Sequence, residues 1–177
     1  ESCIMIRFID MKHMLHKFFL PILCMGVILS IAVLGVAADV RAADLAFSPT
    51  QKTVAVGDIF PVDVLLNTLG VPIIGIDLYF LRFDPQMLEV VDADLSVQGV
   101  QISPGTLMPL TVYNNVNNTA GTVAFSQVVL PGGVFSNTAS QLVASIQFRA
   151  LRSGKAVVSL DAEPGSTKDS NVTSLAI

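Results

Sequence analysis

The chain has 177 residues with a formal net charge of −4 at pH 7, 52% apolar side chains, no tryptophan, two cysteines and two histidines. It carries no basic stripe, which excludes nucleic-acid binding by charge. A mean hydropathy of +0.67 is too high for an ordinary soluble domain, so the apolar excess must have a local source.

That source is N-terminal. Lys12, His13, His16 and Lys17 form a basic stretch, followed by an apolar run over residues 18–38 and then Asp39, Val40, Arg41, Ala42 and Ala43. Basic, apolar and small-residue segments in this order predict a secretory signal helix, with Val40 and Ala42 offering small side chains to a signal peptidase. Cleavage is expected after Ala42, with Ala38 as the alternative site. About 20 apolar residues also suffice to span a bilayer, so an uncleaved anchor is the competing reading, and membrane contact is expected only through this segment. Either way the remainder is expected to leave the cytoplasm, secreted or held at the cell surface. Met11 or Met14 is the expected start, the first ten positions being read as upstream translation or a fragment edge. Residues 1–42 are therefore set apart from a domain over residues 43–177.

Cys3, Cys24, His13 and His16 all precede residue 43. A domain without Cys or His can form no disulfide, lacks the usual zinc and copper ligands and cannot assemble a Ser-His or Cys-His nucleophile pair. It must be held by its hydrophobic core. From residue 43 onward, 6 Lys/Arg stand against 11 Asp/Glu, a net of −5 that favours solubility.

The domain reads as short strands between turn residues. Residues 45–48 open it, Pro49 breaks it, and residues 53–56 lead to a Gly57-Asp58 turn. Residues 59–67 follow, with Pro61 pointing to an edge or a bulge. Residues 73–83 form the organising strand. Ile76, Leu78, Phe80 and Arg82 share one of its faces and Asp77, Tyr79, Leu81 and Phe83 the other. A strand apolar on both faces sits under a second layer or presents its outer face to a partner. Asp84-Pro85 ends it. Residues 88–91 resume the alternation and Asp92-Ala93-Asp94 stops it.

Gly99, Pro104, Gly105 and Pro109 predict a meandering crossover. Residues 110–114 and 121–129 then flank an Asn-rich loop as a hairpin. Residues 141–150 alternate, with Leu142, Ala144, Ile146 and Phe148 on one face, and Ser153-Gly154 turns into residues 156–160. Thr173 to Ile177 reads as the start of a final strand, so the chain is expected to continue. No 3.6-residue amphipathic pattern follows residue 43. The pattern predicts an all-β antiparallel sandwich of Greek-key or jelly-roll topology.

The order of pieces resembles the cohesin family, the β-sandwich modules of cellulosome scaffoldins. The matching pieces are the turn at Gly57-Asp58, the "aromatic-Asp-Pro-x-x-Leu-Glu" turn over Phe83, Asp84, Pro85, Leu88 and Glu89, and a "Gly-x-Val-x-Phe" strand at Gly121, Val123 and Phe125. A "Leu-x-x-x-Ile-x-Phe-x-Ala" strand through Leu142, Ile146, Phe148 and Ala150 and "Gly-x-Ala-x-Val" at Gly154, Ala156 and Val158 complete it. The resemblance implies a non-enzymatic extracellular binding module that docks a dockerin-type helix pair on a polysaccharide-degrading enzyme.

In cellulosomal members, polar Asn and Asp residues on the strand before the Asp-Pro turn hydrogen-bond the dockerin. Here the corresponding outward positions are Ile76 and Leu78, with Asp77 in the opposite phase unless a bulge turns it outward. The expected partner-binding residues are Ile76, Leu78, Phe80 and Arg82. A carbohydrate-binding module using Tyr113, Asn114 and Asn115 is the alternative, and a structural brick of an adhesin or surface layer is a third reading. No metal site or cofactor is expected. Calcium held by Asp84, Glu89, Asp92 and Asp94 is the minor alternative to their role in turns.

Overall fold

The computed structural model describes residues 43–160 and 170–174, all within one compact unit, Arg41–Ile177. The signal-segment expectations and those for residues 175–177 lie outside the described residues. Ten strands follow one another: β1 (Asp44–Ser48), β2 (Ile59–Asn67), β3 (Ile73–Phe83), β4 (Leu88–Val90), β5 (Ser103–Pro104), β6 (Leu110–Asn117), β7 (Thr122–Val128), β8 (Gln141–Ala150), β9 (Val158–Leu160) and β10 (Asn171–Ser174). Among the described residues there is no helix.

The strands form two antiparallel sheets. One has the order β1-β2-β8-β4, with β5 also paired to β8; the other has the order β10-β3-β7-β6, with β9 also paired to β3. Alternation decides what lies between them. Phe60, Val62, Val64 and Leu66 of β2 and Ile146 and Phe148 of β8 are buried from one sheet; Leu78, Leu81, Val123 and Phe125 of β3 and β7 are buried from the other. Phe148 sits at the join, edge-on to Phe83 at 5.3 Å and tilted against Phe60 at 6.1 Å. Such ring pairs add to area burial.

Residues 53–56 form no strand. Pro61 lies in the interior strand β2, opposite Gln147, but β1 reaches only as far as Asp63. The proline therefore occupies a stretch of β2 with a neighbour on one side only, where a missing N–H costs no ladder bond.

Three asparagines join segments that the ladders leave open. Asn114 accepts from the Ile102 N–H at 3.0 Å and donates to its carbonyl at 2.8 Å. Asn118 does the same with Val90, at 2.8 and 2.9 Å. Asn137 accepts from the Thr68 N–H at 2.6 Å and donates to the Leu66 carbonyl at 2.9 Å. Each side-chain amide stands in for a missing strand neighbour, satisfying backbone groups that would otherwise be buried unpaired.

Candidate functional site

The organising strand does not keep one phase along its length. Leu78 is opposite Phe125 and Leu81 is opposite Val123, so Tyr79 and Phe80 of β3 share the single position of Ala124 on β7. This bulge reverses which side chains face inward. Before it, Ile76 (2% exposed) and Leu78 (0%) point into the core; after it, Leu81 and Phe83 do. The expectation that Ile76 and Leu78 meet a partner is thereby overturned, because both are sealed between the sheets. Phe80's side chain lies outside the described residues, and Arg82 is exposed.

The outer face of the β10-β3-β7-β6 sheet follows from the register. One row crosses all four strands as Asn171, Asp77, Ser126 and Tyr113. A second runs Ser159, Arg82, Thr122 and Asn117, with β9 in place of β10. Ala124 and Asn115 lie between the rows. At about 3.3 Å per residue, the Asp77 and Arg82 rows are roughly 13 Å apart. The two rows are thus polar, with an acidic and a basic side chain at separate points, and between them Ala124 lies beside the Tyr79–Phe80 bulge.

Burial raises the Asp77 carboxyl above the usual range. Burial disfavours the ionised form, so the folded chain holds this proton to higher pH than the unfolded chain. Stability therefore falls as pH rises from the ordinary carboxylate range through the raised value, and the penalty is constant above it. Asp77→Asn is expected to be more stable than the parent at pH 7 and equal to it at pH 3, as read by urea midpoints. An equal gap at both pH values would contradict this assignment.

The Asn-rich hairpin splits. Tyr113 (54% exposed) and Asn115 face solvent, whereas Asn114 is turned inward to hold Ile102. The expected glycan trio is therefore not one surface, since one of its members is engaged in the fold. The carboxylates after β4 cap local turns: Asp92 accepts from the Asp94 and Gln101 N–H groups, and Asp94 from Ser96. The Ser96 hydroxyl lowers the Asp94 carboxyl below its usual range, with the Ser96 N–H adding to it. Among the described residues no three His, Cys, Asp or Glu side chains gather as a metal-holding group.

Comparison with solved structures gives the fold. A type II cohesin domain from the cellulosome of Acetivibrio cellulolyticus superposes with a TM-score of 0.56 over 74% of this chain and 82% of that one, at 14% identity. The second type II cohesin module of the adaptor ScaA scaffoldin of that organism gives 0.54 over 75% and 85%, at 15% identity. The type II cohesin dyad of the same scaffoldin gives 0.55 over 73% of this chain and 41% of the dyad, at 14% identity.

The chain has a cohesin-like fold. No family model matches it, and no curated protein does either. Within this cohesin-like sandwich, Asp77, Ala124 and Ser126 belong to the outer sheet face; reasoning from the sequence named Asp77 only as conditional on a bulge and missed Ala124 and Ser126. The signal was present: Ile76/Leu78 and Leu81/Phe83 are apolar pairs in opposite phases. Only a bulge between them lets both reach one core.

Proposed function

We propose that this chain is a non-enzymatic docking module that binds a dockerin-like protein through the outer face of its β10-β3-β7-β6 sheet. The observation that carries this reading is the inward turn of Ile76 and Leu78, which leaves Asp77 on the outer face. It gives the strand before the Asp-Pro turn the polar outward residue that the resemblance to cellulosomal cohesins calls for. Four strands at about 4.8 Å make a platform on the order of 15–20 Å wide, room for two helices of about 10 Å each. Asp77 and Arg82 give the platform a charge direction, which supplies orientation and partner choice more than raw affinity. The reading includes export, supported by the basic, apolar and small-residue order of the N-terminal segment.

Titration calorimetry of the protein with a panel of calcium-loaded dockerin modules tests it. Saturable binding to at least one of them is expected. Ala124→Arg, which plants a long charged side chain at the centre of the face, is expected to weaken that binding by about 100-fold or more with unchanged thermal unfolding. The reading fails if no dockerin binds, or if one binds equally to the parent and the variant.

A further inference from the structure

From Leu95 to Phe148 the chain contains no charged residue, and none lies between Asp63 and Asp77. Among the described residues, these two segments supply the loops at one end of the sandwich: the β2–β3 loop, the approach to β6, and the β7–β8 loop. The loops are fastened together there, with the Gly70 N–H donating to Asn137 at 2.7 Å, Ile73 paired with Phe135, and Leu110 opposite Val128. Leu69 (45% exposed), Leu110, Leu130 (55%) and Val134 (54%) stand out from this end, with Val112 beside them on β6. Among the described residues, Asp44 is the one charged residue at this end. Lys52, Asp58, Arg82, Asp84, Glu89, Arg149, Arg152 and Lys155 all belong to the opposite end.

Leu69 adds an independent sign. It has a φ of 54° and is followed by Gly70 at 82°, with the Val71 N–H closing the turn onto Thr68. Turns with two positive φ values are the province of Gly, Asn and Asp. A leucine kept in the left-handed region, with its side chain exposed, is local strain retained at a surface, and such strain clusters at functional positions. The path of the chain supplies the occupant. β1 starts at Asp44 opposite Asn67, so the polypeptide comes into the sandwich at this uncharged end, and the apolar run over residues 18–38 precedes Ala43 by only a few residues.

Taking the N-terminal apolar run as an uncleaved anchor, we propose that the uncharged end, carrying Leu69, Leu110, Leu130 and Val134, is a lipid-facing surface. Exposed leucines and valines gain by entering the interfacial layer, and the scarcity of carboxylates and cations there avoids the cost of stripping water from charge. The proposal is independent of the docking face, which lies on the side of the sandwich and stays open when this end is seated.

The natural chain lacks tryptophan, so a single introduced one is an unambiguous probe. Full-length Val134→Trp and, at the opposite end, Val157→Trp are reconstituted in phosphatidylcholine vesicles with or without brominated acyl chains. Brominated lipid is expected to quench the first at least about twofold and to leave the second unquenched. Adding Leu69→Asn and Leu130→Asn should return Val134→Trp to the unquenched level. Asn is at home at positive φ, so thermal unfolding should be unchanged by Leu69→Asn.

Three results would overturn the proposal: equal quenching at both ends, quenching that survives the two asparagines, or failure of the full chain to associate with vesicles. Shielding of the Val134→Trp probe by self-association in the absence of lipid would assign the surface to a second copy instead. Dockerin titration of the same vesicles reports separately on the docking face.

Discussion

Leu78→Asp will unfold the domain rather than remove a contact with a partner. Leu78 is fully buried opposite Phe125, in the layer shared by Ile76, Leu81 and Val123. Truncating a buried leucine already costs about 2–5 kcal/mol, and an unpaired carboxylate in its place adds the cost of burying charge. The sum is comparable to the whole stability of a typical domain, about 5–15 kcal/mol. Circular dichroism should show a largely unfolded chain at room temperature, while Asp77→Asn next door stays folded because its side chain is on the other face. A folded Leu78→Asp protein would mean that β3 is read in the wrong phase, and the docking face built on Asp77 would fall with it.

Gly121→Ala is expected to lower the melting temperature by about 10 °C or more, corresponding to roughly 3 kcal/mol. Gly121 has a φ of 68° in the turn between β6 and β7, and a β-carbon there would meet the Phe83 carbonyl oxygen at 2.1 Å and the Pro85 ring at 2.8 Å. Backbone handedness alone costs about 1–2 kcal/mol. The rest comes from pushing the end of β3 and the Asp-Pro turn away from a carbonyl that cannot yield. Gly57→Ala separates the two effects, since Gly57 also has a positive φ, of 93°, but open space where its β-carbon would be. Its loss should be confined to the handedness term. If the two variants melt together, the close approach to Phe83 contributes nothing.

The Gly121 contact ties the β6–β7 turn to the Asp-Pro turn, two pieces on which the resemblance to cohesins rests. Each is legible as a local signal, because Gly and Pro restrict or extend the backbone wherever they stand. Their meeting in space is not. The pairing of Asn114 with Ile102, Asn118 with Val90 and Asn137 with Thr68 belongs to the same class. An asparagine in a polar run looks like a solvated loop residue until a distant backbone is brought to it, and so Asn114 resembled a surface ligand.

By itself, the sequence determined the all-β character, the strands around residues 59–67, 73–83 and 141–150, the turns at Gly57, Pro85 and Gly154, and the lack of Cys or His chemistry after residue 42. These follow from side-chain period and backbone restriction, which act over a few residues. The tertiary structure alone decided which face of β3 is the outside. Alternation gives two faces but no label for either, and one extra residue against Ala124 exchanges them in mid-strand. That choice depends on the register with β7, about 45 residues further along the chain. It moved Ile76 and Leu78 into the core, brought Asp77 out, and with them moved the candidate docking face from an apolar patch to a polar one.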